Sequence, residues 1–372
     1  MIYLDNAATS FPKPLSVIRE VNRCLREYCG NPGRGAHSLS LAAAERVYLT
    51  RELIAEFLNI DTPERVVFTQ NATHALNFAI KTSVRERCHI ITSDIEHNSV
   101  LRPLYALSKS LGCEISHFDS SLPPELAIEP LIRSDTRFII TTLSSNVTGK
   151  RVDICGLSRI AKTHGIELIV DASQYIGHGS IDLTKTPVSI LCAPGHKALY
   201  GIQGSGFAVV LDERQRDTYI EGGSGSDSFN KDMPKNLPER FEAGTLSTPA
   251  IVSLGEGIRF INKIGLPEIN EKLSGLTDLM RDYFDIKNVR VLGCENGICA
   301  FNLVGYSSEQ VAKELDGRGF AVRGGFHCAP SCHIKLGTEQ VGAVRVSVSY
   351  FNTRRELERL RKTLLDFANT GI

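Results

Sequence analysis

The sequence predicts an α/β fold: a large domain with a mostly parallel sheet and helices on both faces, followed by a smaller α+β domain. Three observations predict it. Short apolar runs of strand length alternate with segments of helical periodicity through the first part of the chain. A loop rich in Gly, Ser, Asn and Pro, residues 222–238, then precedes a change of pattern at Thr248-Pro249. Finally, 372 residues suffice for about two folding units.

The first forty residues read as loop, with Pro12, Pro14, Gly30, Pro32, Gly33 and Gly35 spread through them. A helix is expected over 40–58, where Leu49, Leu53 and Phe57 recur at one-turn spacing and Ile54 and Leu58 widen the stripe. A strand at 66–69 and a helix at 73–80 follow, then a strand at 89–92 and a helix at 99–111. The run 138–142 is a strand and 157–164 a helix. Residues 168–171, 189–192 and 206–211 are three more strands. Beyond the loop come a helical stretch, a strand at 297–303, a helix to about Arg318, a strand at 344–348 and a terminal helix over 353–367. Residues 15–250 are read as the large domain and 251–372 as the small one, with residues 1–14 packing on the latter.

Bulk properties exclude several classes. Lys plus Arg and Asp plus Glu both number 42, so nothing asks for nucleic acid or an anionic membrane as partner. No apolar run approaches a membrane span. Met1-Ile2-Tyr3-Leu4-Asp5 has neither a basic stretch nor a long apolar run, which reads as no secretory signal and a cytoplasmic protein. The ten cysteines then read as free thiols, and none shows CxxC spacing. Cys328 and Cys332, with His327 and His333 beside them, could ligate a metal. The Gly-rich surroundings and Pro330 suggest a loop with no second ligand pair, so no metal is expected.

In a parallel sheet, ligands bind beyond the carboxyl ends of strands. Asp171 ends one strand and Lys197 follows the next through Ala193-Pro194-Gly195-His196. Singly they read as a turn aspartate and a surface lysine. Together they suit pyridoxal 5′-phosphate (PLP), which needs a lysine to hold its aldehyde and a carboxylate at its ring nitrogen. Ala72-Thr73-His74 follows a strand and opens a helix, whose N-terminus suits a phosphate; the plainer reading of Thr73 is a helix cap.

A family resemblance covers nearly the whole chain. It rests first on Tyr3-Leu4-Asp5-Asn6-Ala7-Ala8-Thr9, Arg34-Gly35-Ala36-His37-Ser38-Leu39-Ser40 and Ala72-Thr73-His74-Ala75-Leu76-Asn77. Glu96-His97-Asn98-Ser99, Ser145-Asn146-Val147-Thr148-Gly149 and Val170-Asp171-Ala172-Ser173-Gln174 continue it. Gly195-His196-Lys197-Ala198-Leu199-Tyr200-Gly201, Arg240-Phe241-Glu242-Ala243-Gly244-Thr245 and Arg323-Gly324-Gly325-Phe326-His327-Cys328-Ala329 complete it. In this order they resemble the class V aminotransferase family of fold type I PLP enzymes, and within it the second group of cysteine desulfurases and the selenocysteine lyases.

The resemblance implies roles. Lys197 carries the cofactor, Asp171 faces its ring nitrogen, Gln174 its phenolic oxygen, and His97 stacks on the ring. Asn146 lies by the phenolic oxygen or the substrate carboxylate. Ala72, Thr73 and His196 serve the phosphate, Arg345 the substrate carboxylate, and Ala8, His37 and Arg323 the substrate. Cys328 is the sulfur acceptor. The implied reaction takes L-cysteine to L-alanine and leaves a persulfide on Cys328, with a homodimer and a sulfur-acceptor protein as partners. Selenocysteine lyase and an aminotransferase for a small amino acid are the alternatives. Two departures stand out. Pro194 replaces a phosphate-binding serine common in the family, so Thr73 or the 222–226 loop with Ser224 must supply that contact. Cys332 also sets a second thiol beside Cys328.

Overall fold

The computed structural model describes the chain apart from Arg34, Glu213, Gln215, Ser226, Asp227 and Ile372. Of the residues singled out above, Arg34 and Ser226 therefore lie outside the described residues. The chain opens on a short strand, β1 (Ile2–Tyr3), and a helix, α1 (Leu15–Arg23), that continues as a π-helical stretch, Cys24–Tyr28. This helix falls where loop was expected. Pro12 and Pro14 flank its start rather than break it, and Val17, Val21, Cys24 and Tyr28 recur at helical spacing along it, a stripe that the reading of these residues as loop passed over.

A longer helix, α2 (Ser38–Phe57), leads to the central sheet. Its strands are β2 (Val66–Thr69), β3 (His89–Ser93), β4 (Glu114–Phe118), β5 (Thr136–Thr142), β6 (Glu167–Asp171), β7 (Ile190–Pro194) and β8 (Gly206–Val210). The spatial order is β2-β8-β7-β6-β5-β3-β4. The helices α3 (Ala72–Ser83), α4 (Asn98–Leu111), α5 (Pro124–Ile128) and α6 (Ile154–His164) lie between the strands in sequence. Pairs β3–β4, β3–β5, β5–β6 and β6–β7 are parallel. β8 runs antiparallel to both β7 and β2. No helix crosses over between β7 and β8, and a parallel pair requires such a crossover.

Successive residues of each inner strand enter opposite cores. Ile139, Leu168, Val170, Leu191, Phe207 and Val209 face one cluster. Phe138, Ile140, Ile169, Ile190, Ala208 and Val210 face the other, beneath α3 and α4. Burial on both faces explains why these strands read as continuous apolar runs.

The rest of the chain supplies α7 (Thr248–Ile264), α8 (Leu266–Tyr283), β9 (Val289–Glu295), β10 (Ile298–Leu303), α9 (Ser308–Gly317), β11 (Phe320–Ala321), α10 (Pro330–Leu336), β12 (Val344–Ser347) and α11 (Arg354–Thr370). An antiparallel sheet in the order β12-β10-β9 is its centre. Capping boxes at Ser307/Gln310 and Thr353/Glu356 start α9 and α11. α10 is a correction to the loop expected around Pro330: proline occupies its first turn, where a missing N–H costs nothing.

The N-terminal segment binds both parts. β1 pairs with β11, Ser347 N–H donates to the Leu4 carbonyl at 2.7 Å, and the Asn6 amide donates to Ser347 O at 3.0 Å. A few residues on, Ser10 N–H and the Lys13 ammonium both donate to the His196 carbonyl, at 3.1 and 2.9 Å.

Close packing also sets the loop after β7. A Cβ at Gly257 on α7 would overlap the Leu199 carbonyl. Alanine normally favours a helix interior over glycine by about 1 kcal/mol. Gly257→Ala is instead expected to destabilise by roughly 1–3 kcal/mol, because the crowded loop must move. Urea unfolding of the variant measures this; a midpoint at or above that of the parent overturns it.

Candidate active site

One pocket at the carboxyl ends of the sheet brings together Ala72, Thr73, His97, Asn146, Asp171, Gln174, His196 and Lys197. Each comes from a strand end or the loop behind it, as expected for an open parallel sheet. Asn71, Leu76, Ser99, Thr142, Ser144, Ser173 and Pro194 complete the wall. Pro194 is marked in the sequence as a departure from the family, and Leu76, Ser99 and Ser173 fall within the family motifs; Asn71, Thr142 and Ser144 have no signal beyond adjacency to marked residues. A larger cavity lies elsewhere, near Asn31, Gly223 and Leu246, and contains none of the eight. Its buried charges, Arg51 and Glu242, pair with each other at 2.9 Å, so it offers no poised group.

At the start of α3 the cap is Asn71, whose side chain accepts the His74 N–H at 2.9 Å. Thr73 is thus released from the capping role, and its hydroxyl meets Ser99 Oγ at 2.8 Å. The N–H groups of Ala72 and Thr73 find no acceptor among the described residues. That leaves a helix N-terminus open to the pocket.

Asp171 is buried, and its Oδ1 accepts the Ser173 N–H at 2.9 Å. Lys197 is half-buried, its accessible surface facing the pocket. Burial pushes its pKa down to about 8; Asp171 pulls the other way and Arg345 adds to the depression. His97 falls to about 4 through burial, then the Lys197, Arg345 and Arg102 charges, against the pull of Asp171. His97 Nδ1 accepts the Ser99 N–H at 3.0 Å, so the neutral ring carries its proton on Nε2. His196 is likewise lowered to about 4, by burial and the charges of Lys197 and Lys13. Two buried polar atoms of the wall, His196 Nδ1 and Asn146 Oδ1, have no partner among the described residues.

Gln174 uses its amide to donate to the Ala7 carbonyl at 2.9 Å, and Ala8 is not among the residues that line the pocket. His37 caps α2, its Nδ1 accepting Ser40 N–H at 3.3 Å, and lies off the pocket. Ser224 lines the larger cavity instead. Arg345 is buried behind the wall. It donates to the Asn146 carbonyl at 2.8 Å and to Asp5 Oδ1 at 2.9 Å, and its Nε has no partner among the described residues. Arg323 also grips Asp5, at 2.8 Å through Nη2. The role of Asp5 was not foreseen, since nothing local connects it with residues 323 and 345.

Cys328 is exposed, on a turn where His327 and Cys328 have φ of +51° and +55°. The turn adjoins the pocket. Asn146 Nδ2 donates to the His327 carbonyl and Asn98 N–H to the Cys328 carbonyl, both at 2.7 Å. Cys332 is different: it lies inside α10, 1% exposed, with burial pushing its thiol up to about 11. No metal-binding cluster occurs among the described residues. No helix among them is long and apolar enough to cross a membrane.

The class V aminotransferase model matches residues 2–360. The chain belongs to the class V aminotransferase family. A probable cysteine desulfurase of Methanothermobacter thermautotrophicus is 32% identical, over 100% of this chain and 95% of that protein. A cysteine desulfurase of Salmonella agona is 29% identical, over 97% and 91%. The apo structure of a cysteine desulfurase from Thermococcus onnurineus superposes with a TM-score of 0.89 at 29% identity, covering 99% of this chain and 94% of that one. The family and the fold type I architecture expected from the motifs are thus borne out, and such enzymes depend on PLP.

Glu96, one residue before His97, is wholly buried. Its carboxylate accepts the Thr142 N–H at 2.9 and 3.1 Å and the Ser93 hydroxyl. Burial raises its pKa to about 8; the Ser93 and Thr142 hydrogen bonds oppose this and the Asp171 charge adds to it. The unfolded carboxyl titrates near its ordinary value of about 4.3. Between those values the native state holds the extra proton, so stability falls as pH rises through the window and levels off above it. Glu96→Gln is expected to flatten that decline. Urea midpoints at about pH 5, 6.5 and 8 test it; a variant that declines as steeply as the parent refutes the assignment.

Proposed function

We propose that this chain is a PLP-dependent cysteine desulfurase that converts L-cysteine to L-alanine and takes the sulfur on Cys328 as a persulfide. The observation that carries the reading is the meeting of two features. A pocket holding Lys197 and Asp171 shares Asn146 with a turn that presents an exposed thiol.

The pocket fits PLP. The open N–H groups of Ala72 and Thr73, the Thr73 hydroxyl and the unpartnered His196 Nδ1 suit its phosphate. Asp171 suits the ring nitrogen, Gln174 the phenolic oxygen and Lys197 the aldehyde, with His97 over the ring. The group supplies an electron sink for the carbanion formed at Cα.

The remaining chemistry belongs to the protein. Lys197, with a pKa of about 8, is partly neutral near physiological pH and takes the Cα proton. The two guanidinium groups of Arg323 and Arg345 outweigh the one Asp5 carboxylate, leaving positive charge for the substrate carboxylate. Arg345 Nε and Asn146 Oδ1, both buried and without a partner among the described residues, are left to serve the carboxylate and the amine side. Cys328 thiolate attacks the substrate sulfur. The S–S bond forms as the Cβ–S bond breaks, its electron pair stays with carbon, and protonation of Cβ yields alanine. An exposed Cys328 then passes its sulfur to an acceptor thiol.

The active unit is proposed to be a C2 homodimer. Pro194 offers the phosphate no donor, and Ser224 lies away from the pocket of its own chain, so a second copy brings the 222–226 loop to that phosphate.

Two outcomes are expected. Borohydride reduction of the yellow holoenzyme, followed by peptide mapping, labels Lys197; a label on another lysine, or none, refutes the cofactor assignment. Cys328→Ser lowers alanine release from L-cysteine by more than about a hundredfold, while Cys332→Ser stays near the parent rate. The loss at Cys328 is smaller with L-selenocysteine, because selenium leaves more readily. Normal L-cysteine turnover by both variants sinks the desulfurase reading.

A further inference from the structure

The turn that presents Cys328 has a conformation that its own residues disfavour. Two consecutive non-glycine residues, His327 and Cys328, sit in the left-handed region. Two backbone carbonyls of the turn are held, by Asn146 and Asn98. The third hold is the His327 ring. Its Nδ1 lies 3.5 Å from His333 Nε2, with the rings 12° from parallel, and its Nε2 lies 3.5 Å from the Arg323 carbonyl. His333, on α10, is 1% exposed. Its Nδ1 meets Thr338 Oγ1 at 2.7 Å, and the Phe326 ring stands edge-on to it at 5.4 Å.

The hydrogen-bond directions along this row follow from chemistry. Burial lowers both imidazole pKa values, that of His327 to about 2, so each ring is neutral and has one N–H. The Arg323 carbonyl can only accept, which puts the His327 proton on Nε2. His327 Nδ1 then accepts, so His333 Nε2 donates. His333 Nδ1 in turn accepts from the Thr338 hydroxyl. The row runs one way: Thr338 to His333 to His327 to the Arg323 carbonyl. That carbonyl also takes the Arg345 N–H at 2.7 Å, so the turn is registered against the strand that carries Arg345.

We infer that His333 is a positioning residue for Cys328, acting through the His327 ring to hold the left-handed turn in line with the substrate. The inference rests on the desulfurase reading above. Sulfur attack needs near-contact geometry, and a turn free to relax would lose it. L-Selenocysteine, with its better leaving group, depends less on the thiol.

His333→Leu removes the donor to His327, and His333→Gln restores one at the same reach. In the holoenzyme, His333→Leu is expected to lower kcat for L-cysteine by about tenfold with KM nearly unchanged, and to spare L-selenocysteine turnover. His333→Gln recovers most of the loss. Thr338→Val, which frees the His333 tautomer, gives a smaller loss of the same kind and serves if the leucine variant does not fold. Unchanged L-cysteine turnover, equal loss on both substrates, or no recovery by glutamine overturns the inference. Iodoacetamide labelling of Cys328 reads the turn without turnover. It is expected to slow by about fivefold in His333→Leu and to recover in His333→Gln. If the parent makes no alanine from L-cysteine, the desulfurase reading fails by itself. The labelling rates still decide the role of His333: a rate unchanged by leucine rejects it.

Discussion

Asp5 sits near the start of the chain, yet its carboxylate holds two guanidinium groups from near the end, those of Arg345 at 2.9 Å and Arg323 at 2.8 Å. Much of the site depends on this. Arg345 is 3% exposed, and a buried cation without a counter-charge is costly, of the order of 3–5 kcal/mol when one partner is removed. With Asp5 in place, Arg345 can lie behind the pocket and donate to the Asn146 carbonyl. Asn146 in turn holds the His327 carbonyl and so the turn that bears Cys328. The pairing of β1 with β11 and the bond from Ser347 N–H to Leu4 O put Asp5 there.

Burial is the shared cause of the site's electrostatics. Lys197, His97, His196 and His327 are all pushed toward their uncharged forms, and Glu96 is as well. A pocket at the ends of strands buried on both faces has few routes for water, so charge is expensive in it. Lys197, at about 8, can exchange a proton near neutral pH, which suits chemistry that removes and returns one at carbon, while the histidines stay neutral. Asp171 and the two arginines supply the fixed charges.

The two thiols of the Cys328–Cys332 segment show how a short helix sorts like residues. Pro330 begins α10, so Cys328 falls on the exposed turn before it and Cys332 on its buried side. Cys332 packs with Ile95, Val147 and Ala343, its thiol near Ser145 Oγ at 3.8 Å. Buried and shifted to about 11, it holds almost no thiolate near neutral pH. The same helix presents His333 to the ring that steadies Cys328.

The sequence by itself determined the alternation of strands and helices, the strand ends bearing Asp171 and Lys197, the helix opening at Ala72 and the family. These are legible because they are local: an apolar run, a turn, or a residue at the end of a strand leaves its mark within a few positions. α1 escaped because the prolines and glycines around it made the whole stretch read as loop, and α10 because its opening proline reads equally as a loop. Tertiary structure alone decided the antiparallel course of β8, the Asp5 grip on residues 323 and 345, the fate of each cysteine and the His327–His333 pair. Such contacts join residues on different elements, up to 340 positions apart. Their partners are chosen by how the sheet, α10 and the N-terminal segment come together in space, and no local pattern encodes that choice.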